Sequence, residues 1–443
     1  MWDKLGFKEN PYDTKPLKVA MTDVKLLMGR ESEQIDFLTT IESEKQGIFV
    51  LSGVPGVGKT SFFNIQQYLL ESGEAEFGPK MLSARKLCSV QPSDEPKHIA
   101  VRCIQSFCKS IEEYCNITKT EIPKQTAKIQ DWVYQNKPMT FNFGFSILGT
   151  GANGGREVSI PSINETTYDT LVEIIGTLAK EVKDELKFEG SFIVLDNLEN
   201  LHEEDLSDSL TTFRDTLFTI PNIWWGLIGQ SGLSSLIQST NPKVFQRLSG
   251  GIELKPISVE NLIRAVDIRV SRFHTSNNTG SSPISKEVYL KLFQPSNGEI
   301  RFVFKYCQAI CLNLVQTVRK VMIENKEKIS DTEFDKLMGN YFVKNEVNNK
   351  FSNICLKNII LEEFNGLYLD PDEKAVLKKI GELKKVKPND YKLFNLGTMQ
   401  KFTKNFLIKL NEQHLLLRRQ EGKILTYELR GISVFALEYG LLN

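Results

Sequence analysis

Gly53-Val54-Pro55-Gly56-Val57-Gly58-Lys59-Thr60 fills every fixed position of the pattern G-x-x-x-x-G-K-[ST]. Before it, Ile48 to Leu51 form a wholly apolar run, as expected of a strand buried on both faces. After it, Thr60-Ser61-Phe62-Phe63 opens a helical pattern. In this setting the glycines let the backbone wrap an anion, and the helix start adds its dipole. Gly53, Pro55, Gly56, Val57, Gly58, Lys59, Thr60 and Ser61 are therefore the expected nucleotide contacts. Lys59 is placed to reach the β and γ phosphates, and Thr60 to offer its hydroxyl to Mg2+. Strand before and helix after argue against a chance glycine-rich turn, and the loop predicts binding of a nucleoside triphosphate such as ATP.

Phe192-Ile193-Val194-Leu195-Asp196 reads as a second buried strand ending in a carboxylate. Behind a complete phosphate loop, Asp196 is the expected partner of Thr60 at the metal. The next residue is Asn197, whose amide can orient a water but cannot take its proton. The nearest glutamate, Glu199, is either the general base or a charge at the start of the following helix, where acids are favoured. The pattern predicts slow, conditional hydrolysis. Between the two motifs, Phe141, Phe143, Phe145 and Ile147 alternate with small or polar residues ahead of a glycine-rich turn. That period of two predicts an inserted β-hairpin near 140–160, bracing the core or touching a partner.

The chain has 443 residues, 41% hydrophobic and 25% charged, so two or three globular domains are expected. Lys+Arg and Asp+Glu are 55 each, so net charge points to no partner. No apolar run approaches a membrane span and the first residues have no apolar signal core, so a cytoplasmic protein without a membrane partner is expected. The seven cysteines form no C-x-x-C pair and suit core packing in a reducing compartment. Four scattered histidines and the lack of a second substrate motif argue against a kinase or metabolic enzyme.

Further pieces follow in order. Ile223 to Gly229 is another apolar strand, ending at Gln230 and Ser231. Arg247 precedes a short strand and a helix, and Gly298-Glu299-Ile300-Arg301 stands at a later helix start. Upstream lies Gly29-Arg30-Glu31-Ser32-Glu33. Together these resemble the AAA+ ATPases, particularly the origin-recognition group, and the related STAND-type ATPases. The resemblance implies that Arg247 reaches a neighbouring subunit's γ phosphate and that Arg301 is a sensor in the lid. It also implies that the Gly29–Glu33 segment covers the adenine side. Asn197 departs from the group's usual catalytic glutamate.

The last third changes character. From 371 to 443 there are 14 Lys/Arg against 8 Asp/Glu. Helical patterns at 370–383, 389–396 and 397–416 precede two strands, the layout of a winged helix-turn-helix. Thr398, Gln400, Lys401 and Lys404 would begin the recognition helix, and Arg418, Arg419 and Lys423 would lie on the wing against phosphates. The expected fold is thus an α/β P-loop NTPase core with an AAA+-like parallel sheet, a helical lid and a C-terminal winged-helix domain. Expected boundaries are a linker at 1–45, the ATPase core at 46–256, the lid at 257–350 and the winged helix at 365–443. Lys59, Asp196, Glu199, Arg247 and Arg301 are the candidate catalytic residues. The leading expectation is a switch ATPase that binds double-stranded DNA and forms a homo-oligomer with ATP. The alternatives are a signalling or defence ATPase that docks an effector protein, and a transposition-type targeting ATPase.

Overall fold

The computed structural model describes residues 1–84, 87–136, 138–143, 156–275, 282–324, 330, 332, 345–421 and 424–442. They form two compact units, Pro16–Lys255 and Met1–Lys15 with Pro256–Asn443. The stretch 1–45 is therefore not a linker. Its first fifteen residues belong to one unit and the rest to the other, because both parts carry apolar side chains that each unit buries.

In the Pro16–Lys255 unit, strands β1 (Gly47–Gly53), β2 (Met81–Ser83), β3 (Cys88–Ser89), β6 (Gly190–Asp196), β7 (Ile223–Ile228) and β8 (Gly250–Leu254) form a parallel sheet. The order is β2-β6-β7-β1-β8, with β3 also paired to β6. Strands β6 and β7 are buried at every residue, and β1 at every residue but the first. Their continuous apolar runs arise because both sheet faces are covered. Ile48 and Val50 of β1, with Ile193 and Leu195 of β6, pack on one face with the helices Pro96–Thr118 and Tyr168–Asp184. Phe49, Leu51, Phe192 and Val194 pack on the other with Glu31–Ser43 and Lys59–Ser72. β4 (Met139–Phe143) and β5 (Arg156–Ile160) pair antiparallel, forming the base of the expected hairpin, while residues 144–155 lie outside the described residues.

In the other unit, helices Val259–Phe273, Lys286–Ser296 and Ile300–Glu324 occupy the expected lid. The sequence from Lys328 to Phe351 also predicts a further helix, most of which lies outside the described residues. A helix over Asn345–Asn365 crosses the expected 350 boundary and fills the gap before 365. Then come Pro371–Leu383, a 3-10 turn at Pro388–Phe394, helical residues Met399–Glu412 with a π turn at Thr403–Ile408, and the hairpin of β9 (Leu416–Glu421) and β10 (Ile424–Leu429). Val386 forms a further antiparallel bridge to Tyr427. The N-terminal segment packs onto this unit through Tyr12, which is fully buried with its hydroxyl 2.6 Å from that of Tyr289. All seven cysteines are free and buried.

Phe37 is fully buried and its ring lies 5.0 Å from Phe49 and 5.6 Å from Phe63 and from Phe192, centroid to centroid. Phe37→Ala is expected to lower the stability of this unit by about 3–5 kcal/mol in a denaturant titration. A loss under about 1 kcal/mol would mean that the ring cluster does not hold the helix to the sheet.

Candidate functional site

The phosphate loop begins where β1 leaves the sheet. Gly53 has φ +154°, and a Cβ there would stand 2.8 Å from the Leu254 carbonyl oxygen, so the loop can lie this close to β8 only with glycine. Gly58 has φ +102° and a Cβ on it would meet nothing within 4 Å. The space beside Gly58 is thus open at the N-terminus of the helix Lys59–Ser72. The Lys59 ammonium donates to the Gly53 carbonyl (2.8 Å) and the Val54 carbonyl (3.3 Å), folding over its own loop. Arg30 is nearly buried and braces the same loop. It donates from one nitrogen to the Val57 carbonyl (3.1 Å) and from another to the Glu33 carboxylate (2.8 Å). The Ser61 hydroxyl accepts the Leu17 N–H (3.1 Å), and Asn64 donates to the Leu17 carbonyl (2.7 Å), pinning the chain before Arg30 to the loop's helix.

The structure brings Thr60 and Asp196 together, with the threonine hydroxyl 3.4 Å from a carboxylate oxygen. Burial pushes the Asp196 carboxyl above its ordinary range, against the pull of the Asn197 N–H, Lys59 and Thr60. Glu199 sits as an exposed residue on a single 3-10 turn after Asn197. Its carboxyl is also raised, first by partial desolvation and further by Asp196, while Lys59 opposes the shift. Both charges act on Glu199.

Asn197 has φ +63°, a left-handed conformation that asparagine adopts more readily than most residues. Its amide donates to the Ser89 hydroxyl (2.9 Å). Ser89 is held in turn, since its carbonyl accepts from Arg102 (2.9 Å) and Arg102 pairs with Asp94. Asn200 donates to the Val90 carbonyl (2.7 Å), fastening the far end of the turn to the chain after β3. Ser89 gave no signal in the sequence, because a strand of two residues has no periodicity to read.

Arg247 is half exposed, donates to the Arg214 carbonyl (2.6 Å) and lies 3.7 Å from the Asp215 carboxylate. At the end of β7, Gln230 is exposed, and the Ser231 hydroxyl donates to Glu253 (2.6 Å). Arg301 belongs to the other compact unit, where it is exposed on the first turn of Ile300–Glu324. Its neighbour Glu299 pairs with Arg430, not with Arg301. Gly298 has φ +78°, and a Cβ there would fall 2.2 Å from that of Pro256, which fixes glycine at this helix start.

On the helix Met399–Glu412 Gln400, Lys401 and Lys404 are exposed, while the Thr398 hydroxyl caps the helix by accepting the Lys401 N–H (3.1 Å). Arg418 is exposed on β9. Arg419 is instead engaged by its own chain, donating to Glu428 (2.6 Å) and Asn297 (3.3 Å). Lys423 lies outside the described residues. Asn405, exposed beside Lys404, was not singled out by the sequence, where it is one polar position in an amphipathic run. No described helix is long and apolar enough to cross a membrane.

No family model and no curated protein matches the chain. Among solved structures it is similar to the Aeropyrum pernix ORC2 protein in ADPNP-ADP complexes, at 11% identity over 98% of each chain with a TM-score of 0.45. It is similar to the Aeropyrum pernix ORC1 protein in complex with DNA, at 13% identity over 96% of each chain with a TM-score of 0.40. It is also similar to Cdc6p from Pyrobaculum aerophilum, at 12% identity over 98% of this chain and 99% of that one, with a TM-score of 0.39. At these values no residue's role transfers from them.

The raised Asp196 pKa means that the folded state binds this proton more tightly than the unfolded chain does. The ionised carboxylate therefore costs stability above the folded pKa, and the cost fades as pH falls toward the ordinary carboxylate range. Asp196→Asn is expected to raise the melting temperature of the nucleotide-free protein near about pH 7, with the gain shrinking as pH is lowered. A variant that melts lower than wild type at neutral pH would contradict this.

Proposed function

We propose that the chain is a slowly hydrolysing switch ATPase that binds duplex DNA through a C-terminal winged helix and assembles when ATP is bound. The observation that carries the slow hydrolysis is the Asn197 amide bonded to Ser89 at the end of the Asp196 strand. A residue there that cannot accept a proton leaves Glu199 as the carboxylate within electrostatic reach of Lys59 and Asp196.

The donors suit nucleotide and magnesium. A hydroxyl and a carboxylate oxygen 3.4 Å apart are hard ligands of the kind Mg2+ takes together with phosphate oxygens. Open space beside Gly58, at a helix N-terminus, suits an anion. Bound magnesium would supply charge neutralisation for the phosphates. Lys59 would exchange its two loop carbonyls for phosphate oxygens, and Thr60 and Asp196 would hold the metal. Glu199 would orient a water and take its proton. Arg247, on an exposed turn, would serve a neighbouring copy, and Arg301 would sense the nucleotide from the lid. Exposed Gln400, Lys401, Lys404 and Arg418 would meet DNA.

A second reading, in which this domain docks an effector protein, is favoured by Arg419 being turned to Glu428 and Asn297 instead of outward. Salt separates the two, since phosphate contacts release counterions and make DNA binding fall steeply with ionic strength.

Steady-state ATP turnover with and without duplex DNA tests the switch. Wild type is expected to be slow and accelerated by DNA, and Lys59→Ala to lose nucleotide binding. Glu199→Gln is expected to keep ATP affinity while kcat falls about 10²- to 10⁴-fold. An unchanged kcat would remove Glu199 from the chemistry, and turnover indifferent to DNA as well would remove the DNA-coupled switch.

A further inference from the structure

The helix Asn345–Asn365 buries one face and exposes the opposite one. Cys355, Leu356, Ile360 and Phe364 are buried, and the helix packs on Lys286–Ser296, Ile300–Glu324 and Ile432–Glu438. On the other side Ile354 is 53% exposed and Leu361 38%. Asn358 and Asn365 are exposed on the same line, because steps of four, three and four residues from Ile354 return to one side of a helix. This line has the spacing of a coiled-coil seam, with Ile354 and Leu361 at its d positions and Asn358 and Asn365 at its a positions. Lys357 and Glu362 stand exposed on either side of it, at g and e. The Lys357 ammonium lies 5.9 Å from the Tyr439 ring centroid. Among the described residues, none hydrogen-bonds the Asn358 or Asn365 amide and none forms an ion pair with Glu362.

The side chains on this face choose its occupant. Two copies laid parallel and in register put each asparagine against its own counterpart, where an amide both donates and accepts. Ile354 and Leu361 then also meet their counterparts. Antiparallel copies set a against d, burying each amide on isoleucine or leucine with no hydrogen-bond partner. Charge makes the same choice. In a parallel pair a g residue faces the e residue five positions on in the other helix, so Lys357 meets the second copy's Glu362, twice by symmetry. In an antiparallel pair g faces g and e faces e, which brings like charges together. We propose that the protein pairs with a second copy of itself along Asn345–Asn365, parallel and about a two-fold axis. The helix is already held by its own unit, so pairing does not have to form it. A seam this short belongs with the small interfaces, so the dimer depends on concentration. It uses no residue of the phosphate loop and differs from the contact proposed for Arg247, in which one copy's arginine serves its neighbour's nucleotide.

Sedimentation of the full-length, nucleotide-free protein over a series of concentrations tests the pairing. Wild type is expected to pass from monomer to dimer, and Lys59→Ala to do so at the same concentrations. Leu361→Asp should remove the dimer throughout that range. Lys357→Glu and Glu362→Lys, at exposed positions where folding is not at stake, each turn two attractions into two repulsions and should weaken the dimer about tenfold. Combining the two substitutions should restore it. Asn358→Cys and Asn365→Cys should each give a disulfide-linked dimer on oxidation, since a meets a in the parallel register alone, while the seven native cysteines are buried. A monomer at every concentration would overturn the proposal, as would a dimer indifferent to Leu361→Asp. Failure of the combined variant to recover, or of both cysteines to cross-link, would overturn the parallel pairing. A dimer that needs ATP and is lost in Lys59→Ala would overturn this contact and leave the ATP-dependent assembly standing.

Discussion

Burial of β1, β7 and β6 on both faces is the constraint on which the candidate site depends. Those three neighbouring strands carry apolar side chains into two separate cores, so their ends are fixed in space. The phosphate loop springs from one such end and Asp196 sits at another. Ligands of open parallel sheets gather outside the carboxyl ends of the strands, because the loops there leave a crevice that the helices do not fill. The sheet also sets how near the loop can come to β8, which is why Gly53 cannot carry a Cβ. Arg30 then ties the loop to the segment before the core through the Val57 carbonyl, so loop shape and N-terminal chain are one mechanical piece.

The acid end of the site is held by a relay of polar contacts. Asp94 pairs with Arg102, Arg102 holds the Ser89 carbonyl, and the Ser89 hydroxyl receives the Asn197 amide. The left-handed backbone at Asn197 sets the direction in which Glu199 leaves β6. The turn thus places an amide tethered to Ser89 and, two residues later, a carboxylate beside the end of β6.

The C-terminal unit depends on a different contact. Arg430 and Glu299 are both largely buried and pair with each other, and removing one partner of such a pair leaves an uncompensated charge, typically at a cost of about 3–5 kcal/mol. Next to it Gly431 has φ +58° and a Cβ there would stand 2.9 Å from the Phe302 ring. The hairpin end therefore packs directly on the first turns of Ile300–Glu324, and Arg419 reaches Asn297 from the same side. This explains why the helices after Pro256 and the C-terminal elements form one compact unit although their sequence patterns suggest a boundary.

The sequence by itself determined what depends on local chemistry. The loop Gly53–Thr60, the buried strand ending at Asp196, the hairpin base and the helix–helix–helix–hairpin order after 371 are written in residue type and spacing, because turns, strand burial and helix periodicity are local properties. Only the tertiary structure decided which groups meet. Ser89 against Asn197 joins two strands far apart in sequence, Arg430 takes Glu299 away from Arg301, and Arg419 is drawn inward while Asn405 is left outside. A charged or polar side chain reads the same in the sequence whichever way it points, and its partner is chosen by packing among residues that the chain's order does not bring together.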